Sequence, residues 1–463
     1  AQSFCSKPLR ALPQPANHHI QRLGCTGRCS ANTAIRLLKS KHCYTMNLTF
    51  CAYDSPTHIG GPNTVLRRLL PALPAYGDTP SAVLLQTTGR AIGATAQDLR
   101  RQHIAVAEMP RPRSTEALLR ILLSRCASAD VFAPDYVAPA YFAARWLRPA
   151  GIVTIGTIHG DDAFYDALLD EFVAGPPEQQ IDGLVCVSRF VEARVQAKLA
   201  GRPTRTVIRC IPNSMPLPPR VARPPEAELR MLYVGRLAET HKRATDVARA
   251  VCRAARAVPG TSGALYGDGP SRRMVHDILV TEGAGLPVQL MGTVTSEQIE
   301  AELLRSHVLV LLSDSEGLPM AVMEAMACGV VPICMNLPTG ALELVEHEQT
   351  GLLVEDRGEA FVAAIRRLRE EPGLWQRLSQ AARARIAERY TPTQSASQWH
   401  AFAAELREQA PPRQLLALPP RFVLPPVRPA LVHLDERALP PHRYVLRQAR
   451  RALGRVRRRI RGG

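Results

Sequence analysis

Two glutamates eight positions apart, Glu316 and Glu324, are the residues whose type and spacing point most directly to chemistry. They stand in the run Ser313-Asp314-Ser315-Glu316-Gly317-Leu318-Pro319-Met320, which follows the apolar stretch Val308–Leu312 and continues to Gly329. Gly317 permits a tight turn and a close backbone approach. Pro319 suits the first helical position, where a missing N–H costs nothing. The backbone N–H groups of Leu318, Met320 and Ala321 are then free at a helix N-terminus, which attracts phosphate. At about 1.5 Å per residue, Glu324 lies roughly 7–8 Å along that helix, so the two carboxylates can bracket a diphosphate lying across its end. Glu324 is placed to accept hydrogen bonds from two ribose hydroxyls, and Glu316 to face the hydroxyls of the group the diphosphate carries. Either glutamate alone reads as well as a solvent-facing helix residue. The pair, with Gly317 and Pro319 between them and a buried strand before, reads as a site.

Other residues fit the same chemistry. Arg236, in Val234-Gly235-Arg236-Leu237, and Lys242 would set two cations at a strand end, where they offset charge on a departing diphosphate. In a chain this basic, a pair of surface cations is the alternative. Gly60-Gly61 forms a glycine loop after the first strand; an ordinary turn would look the same. His159 ends the strand Ile152–Ile158 and precedes Gly160-Asp161-Asp162. A histidine at the carboxyl end of such a strand is better placed for function than one on a helix face, with a hydrogen-bonded structural histidine as the competing reading and Asp161 as a second candidate. Ser188-Arg189 and Pro212-Asn213 read as supporting positions. Gly267-Asp268-Gly269-Pro270 forms a glycine-rich turn after a strand and lacks the third glycine of a dinucleotide fingerprint.

These residues need a frame to position them. From Asn47 the chain alternates short β-branched runs with helical patterns: strands at Leu48–Ala52, Ala82–Gln86, Asp130–Ala133, Ile152–Ile158 and Leu184–Val187, and helices over 63–73 and 115–123. Non-alternating buried strands of this kind belong to parallel sheets covered on both faces. Prolines at 212, 216, 218, 219, 224 and 225 mark a connection. The alternation then restarts, with strands at Met231–Val234, Ala264–Tyr266, Val288–Met291, Val308–Leu312 and Val331–Cys334. The fold class is therefore α/β, two doubly wound Rossmann-like domains with a cleft between them, and ligands sit at strand carboxyl ends. The expected division is 1–45, a basic irregular leader; 46–215, an N-terminal Rossmann-like domain; 216–228, a linker; 229–390, a C-terminal Rossmann-like domain; 391–410, a closing helix; and 411–463, a Pro/Arg-rich basic tail.

Length and composition agree with that frame. A chain of 463 residues suits two domains. Aromatics at 5% are sparse, which argues against a nucleic-acid reader built on base stacking. The net charge of +17 favours anionic partners, and the excess lies at both ends. Eleven dispersed cysteines imply no disulfide framework and a reducing compartment; Cys25 and Cys29 lack zinc-site spacing. Residues 1–45 resemble a transit-like leader or sequence translated upstream of a start at Met46. No apolar run reaches the roughly 20 residues that span a bilayer. The acid-free segment 442–463 spaces apolar residues among arginines as a cationic amphipathic helix does, suiting an anionic membrane surface; a disordered cationic tail is the plainer reading.

Glu316–Glu324, with Glu316-Gly317-Leu318-Pro319, Glu324-Ala325-Met326-Ala327, Gly329 and Gly351-Leu352-Leu353-Val354, resembles the E-x7-E signature of retaining GT-B glycosyltransferases, glycosyltransferase family 4. In outline the resemblance extends from Met46 to about Leu406. It implies a nucleotide-diphosphate sugar as co-substrate, retention of anomeric configuration and no cofactor or essential metal. Arg236 and Lys242 resemble the family's diphosphate clamp, although Arg243 stands where the family has glycine. Gly60 and Gly61 resemble its glycine loop, and His159 its histidine beside the sugar. Expected catalytic residues are His159, Glu316, Arg236 and Lys242. Expected donor contacts are Gly60, Gly61, Arg236, Lys242, Gly317, Leu318, Met320 and Glu324. The implied partners are the donor and a glycan or lipid-linked acceptor, with no nucleic acid, in the cytoplasm or peripherally at the inner membrane face. Two other classes fit less well: a non-hydrolysing nucleotide-sugar epimerase, whose additional cleft acids and histidines are not found, and a basic nucleic-acid binder.

Overall fold

The computed structural model describes residues 45–56, 60–87, 92–112, 114–424 and 431, all within one compact unit. The segments 1–44 and 442–463, with the readings placed on them, lie outside the described residues. Seven parallel strands form the first sheet, in the order β3-β2-β1-β4-β5-β6-β7: β1 (Asn47–Asp54), β2 (Thr79–Gln86), β3 (Ala105–Pro110), β4 (Val131–Ala133), β5 (Val153–Ile158), β6 (Gly183–Cys186) and β7 (Val207–Cys210). Six form the second, in the order β10-β9-β8-β11-β12-β13: β8 (Leu229–Val234), β9 (Thr261–Tyr266), β10 (Val288–Gly292), β11 (Val308–Leu311), β12 (Val331–Met335) and β13 (Leu352–Val354). The strands are short apolar runs because helices cover both faces; β5, β6, β11 and β12 are buried at every residue. In each sheet the strand order reverses once, between β1 and β4 and between β8 and β11. A crevice opens at such a reversal, outside the strands' carboxyl ends.

Several local expectations are corrected. The helix expected over 63–73 runs as α-helix only over Gly61–Leu69, then tightens to a 3-10 stretch over Leu70–Tyr76. Pro71 and Pro74 lack the N–H groups that would continue it. Pro319 is the residue before the helix, with β-region backbone, and the helix begins at Met320. Strand β3 has no buried residue and ends in proline, and two of the three residues in its apolar run Ala105–Ala107 are alanines.

The chain passes between the two sheets twice. The passages meet where Met215 N donates to the Tyr390 carbonyl at 2.7 Å. The helix Pro392–Gln409, opened by a capping box between Thr391 and Gln394, then returns to the first sheet. It buries Trp399, Phe402 and Leu406 in the cluster that holds Phe50, Leu66 and Leu69. Gly183 leaves room for it: a Cβ there would fall 2.4 Å from Leu406 Cδ1. Residues 411–424 then lie along the first domain. Arg120 Nη2 donates to the Pro420 carbonyl at 2.8 Å, and Phe422 meets Trp146 edge-on with centroids 4.8 Å apart.

His307, just before β11, gives the second domain a pH dependence. Its Nδ1 accepts the Arg230 N–H at 2.8 Å, and burial holds the ring's pKa down at about 4. An unfolded imidazole titrates near 6.5. Between those values the unfolded chain binds more protons, so stability present above about pH 6.5 is lost as pH falls toward 4. The component is up to roughly 3 kcal/mol. Urea melts of wild type and His307→Asn at pH 7 and pH 4.5 are expected to show a smaller acid-induced loss in the variant. Equal losses would refute the assignment.

Candidate functional site

The second domain brings its candidate residues to the carboxyl ends of β8 and β11. Arg236 follows β8 in a loop that the Gly267–Gly269 turn clamps. Leu237 N donates to the Asp268 carbonyl at 2.9 Å and Ser271 N to the Leu237 carbonyl at 2.9 Å. Cβ atoms at Gly267 and Gly269 would fall 1.9 Å from the Gly235 carbonyl oxygen and 2.3 Å from that of Leu237. The two glycines are there so that one loop can lie on the other. Among the described residues the Arg236 side chain makes no ion pair or hydrogen bond, and it is exposed. Its charge reaches across the cleft: burial and Asp162 raise the Tyr136 phenol, and Arg236 opposes them.

Lys242 sits in a strained loop. His241 and Arg243 both take positive φ, 62° and 50°. The turn therefore keeps a glycine-like conformation although Arg243 is not glycine. A left-handed backbone costs an L-residue roughly 1–2 kcal/mol. The carboxylate of Asp246, bonded to Arg243 Nε at 2.9 Å, and the bond from Asp314 N to the His241 carbonyl at 2.7 Å hold it. So mounted, Lys242 Nζ lies 2.6 Å from Glu316 Oε1, with Glu316 only 11% exposed. The structure thus joins a member of the cation pair to a member of the glutamate pair.

Glu316 and Gly317 are pressed against the first domain. A Cβ at Gly317 would fall 2.0 Å from the His159 carbonyl oxygen. The Gly317 carbonyl accepts from Ser188 Oγ at 2.7 Å, and that of Glu316 from Gly340 N at 2.9 Å. Gly317 is required by close approach to another domain, not by positive φ. Beside it, Ser315 Oγ donates to Asp161 Oδ1 at 2.7 Å. Asp162 caps the helix Ala163–Phe172 by accepting from Phe164 N and Tyr165 N. Ser188, the N-cap of the helix Arg189–Leu199, also fastens the two domains together.

His159 directly follows β5 and faces Asp135, which follows β4: His159 Nε2 and Asp135 Oδ1 are 2.7 Å apart, with side chains 11% and 5% exposed. A carboxylate on one ring nitrogen fixes which tautomer faces the other way. Asp135 Oδ2 is buried without a hydrogen-bond partner, so this acid has unused acceptor capacity. Tyr136, Phe164 and Tyr165 form an aromatic wall beside the pair, Tyr136 and Phe164 with centroids 4.6 Å apart and His159 and Tyr165 6.5 Å. Asp135 was not anticipated; the available signal was an acid two residues beyond a buried strand at the sheet's reversal point.

Glu324, the fifth residue of the helix Met320–Ala327, meets another unanticipated residue. Arg68, in the last turn of Gly61–Leu69, donates to Glu324 Oε1 at 2.8 Å, the side chains being 16% and 22% exposed. The same helices approach where a Cβ at Gly61 would lie 4.0 Å from Met320 Cγ. Met320 and Ala321 open their helix, and among the described residues their N–H groups and that of Leu318 meet no backbone acceptor. Leu318 itself is 5% exposed. The contacts thus bring His159, Gly61 and Arg68 of the first domain against Gly317, Met320 and Glu324 of the second, with Lys242 on Glu316 and Arg236 acting on Tyr136. Both glutamates meet a cation there.

The arrangement can hold an anion between Lys242, Arg236 and a helix N-terminus, with carboxylates on both sides for hydroxyl groups. The described cysteines are free thiols. No described helix is long and apolar enough to cross a membrane.

Known proteins share this frame. Residues 219–385, which hold Arg236, Lys242, Glu316 and Glu324, match the family Glycosyl transferases group 1. The putative colanic acid biosynthesis glycosyltransferase WcaL of Escherichia coli is 30% identical over 253 residues, 51% of this chain and 60% of that protein. Glycogen synthase of Mycobacterium tuberculosis is 31% identical over 182 residues, 39% of this chain and 44% of that one. The chain thus spans less than two thirds of these relatives' length. Sucrose-phosphate synthase from Thermosynechococcus elongatus superposes with a TM-score of 0.62 at 20% identity, over 79% of this chain and all of that one. Anabaena HepE, solved with UDP and glucose, gives 0.61 at 15% identity over 78% of this chain and all of its own. With two parallel sheets that each reverse once, the chain has the GT-B fold, and its second domain is similar to the family Glycosyl transferases group 1.

Proposed function

We propose that the chain is a retaining glycosyltransferase of family 4 type that moves a hexose from a nucleotide-diphosphate sugar to a glycan, lipid-linked or small-molecule acceptor. The observation that carries this reading is the contact of Glu316-Gly317 with His159, made while Lys242 holds Glu316. Residues suited to a diphosphate, a sugar and a reacting hydroxyl come to one place from both domains. In this reading Glu324 accepts from the ribose hydroxyls and Glu316 from the sugar's. Arg236, Lys242 and the N–H groups at Leu318, Met320 and Ala321 hold the diphosphate, supplying the positive potential that a metal supplies elsewhere. Gly60 and Gly61 let the first domain's backbone approach the diphosphate.

The reaction proceeds on the donor's front face through an oxocarbenium-like transition state. The bond from C1 to the phosphate oxygen breaks, the bond from C1 to the acceptor oxygen forms, and the acceptor's proton passes to the leaving phosphate. His159, oriented by Asp135, lies beside the sugar. A role in polysaccharide assembly follows the names of relatives, WcaL among them and the amylovoran biosynthesis glycosyltransferase AmsK of Erwinia amylovora. Contact of residues 442–463 with an anionic membrane surface belongs to the same proposal.

Thermal-shift screening with UDP, GDP and ADP tests the donor site. For the diphosphate that raises the melting temperature, Glu324→Ala is expected to weaken binding about tenfold to a hundredfold, the worth of a charge-assisted hydrogen bond. The unliganded melt should stay close to wild type, because the Arg68 ion pair is partly exposed. Unchanged nucleotide affinity in a folded variant would remove Glu324 from the site.

A further inference from the structure

Flanking the cleft, where the chain passes between domains, lies a cavity of about 460 Å³. Its walls come from three parts of the fold: Arg189 and the end of β7 in the first domain, Glu343 and Arg389-Tyr390 in the second, and the closing helix with Phe402 and Glu405. None of the donor-site candidates lines it.

The cavity's acids are both committed. Arg209 Nη2 donates to the two oxygens of Glu405 at 2.9 and 2.7 Å. Glu343 accepts the backbone N–H groups of Arg189 at 3.1 Å and Phe190 at 2.8 Å. Two cations are left over. The guanidinium groups of Arg189 and Arg389 are exposed and have no ion-pair or hydrogen-bond partner recorded among the described residues. Both bear on the cavity: Arg189 opposes the burial-driven rise of the Cys210 thiol, and Arg389 that of the Tyr390 phenol, and both of those residues line it. Two uncommitted guanidinium groups facing one space beside the aromatic side chains of Tyr390 and Phe402 fit a compact dianion, because each can bind phosphate oxygens through paired N–H donors.

We propose that this cavity is a second ligand site that takes a phosphomonoester, held by Arg189 from one domain and Arg389 from the other. A ligand bridging them ties the domains at the point where the chain passes between them.

The test is calorimetric titration of glycerol 3-phosphate into the full chain, with UDP present to fill the diphosphate cradle. Binding at one site is expected. Arg189→Gln and Arg389→Gln should each weaken it about tenfold or more, the scale of a charge-assisted contact, and the double variant should abolish it. Lys242→Ala should leave it unchanged. Since neither arginine holds a structural partner, the variants should melt like wild type. If UDP itself gives no thermal shift, the donor reading fails separately and the titration proceeds without it. Vesicles of phosphatidic acid separate the sources of the phosphate: pelleting lost in the double variant assigns the site to a lipid headgroup, whereas heat of binding without such pelleting assigns it to a soluble ester. No binding of either probe, or equal binding by the double variant, overturns the site.

Discussion

Replacing Lys242 by alanine is expected to lower kcat/KM for glycosyl transfer by about 10²–10³, with most of the loss in kcat. The estimate follows from removing one preorganised donor aimed at developing charge, which typically costs roughly 2.7–4 kcal/mol of transition-state stabilisation. Lys242 is preorganised here: its loop holds two residues at positive φ, and its Nζ is already fixed 2.6 Å from Glu316. In the proposed reaction, charge grows on the departing diphosphate where this cation stands. The substitution also strips Glu316 of its counter-charge in a nearly buried position, so donor binding should weaken as well. Lys242→Arg, which keeps the charge and changes its shape, should recover part of the rate. Initial rates with the nucleotide sugar selected by thermal shift, compared at matched folded fraction, check this. A rate for Lys242→Ala within threefold of wild type would remove Lys242 from the chemistry.

Gly317→Ala is expected to reduce transfer by a hundredfold or more without unfolding either domain. The added carbon would sit 2.0 Å from the carbonyl oxygen of His159 and 2.8 Å from its carbon. Both are backbone atoms, so no rotamer change relieves the clash, and the walls must move apart. A displacement near 1 Å is enough to cost about 10² in rate when reacting groups come from two bodies. Gly160→Ala is the matched control. Its Cβ would meet only the Tyr165 ring, at 3.4 Å, and its activity should stay within a few-fold of wild type. Small-angle scattering should show the Gly317 variant more open while its circular dichroism stays native. Full activity in Gly317→Ala would mean that the contact with His159 is dispensable.

How much of this was legible depended on how local each signal was. The alternation of buried β-branched runs with helices announced two parallel sheets, because both faces of each sheet are covered and the pattern lies within single strands. Glu316, Gly317 and Glu324 lie within one turn and one helix, and Arg236 and Lys242 within one loop, so local spacing and the resemblance to a family's motifs displayed them. Asp135 and Arg68 were invisible for the opposite reason. Asp135 meets His159 only because β4 and β5 are neighbours. Arg68 meets a glutamate 256 residues away, and an arginine in the last turn of a helix already has a local explanation in the helix dipole. Strand β3, an edge without buried residues, carries only an alanine-rich run, a weaker strand signal than the larger β-branched residues of the interior strands. The path of residues 411–424 was equally hidden, since it rests on carbonyl groups accepting from Arg120 and on Phe422 meeting Trp146.

The return of the helix Pro392–Gln409 to the first sheet has a consequence for biogenesis. The first domain is discontinuous along the polypeptide, so a ribosome finishes the whole second domain before it delivers the element that covers Phe50 and Leu66. Domains generally fold as they emerge, N-terminal first. Here the earlier half must wait with an apolar face uncovered, and a nascent chain stalled near Tyr390 would present that face to chaperones.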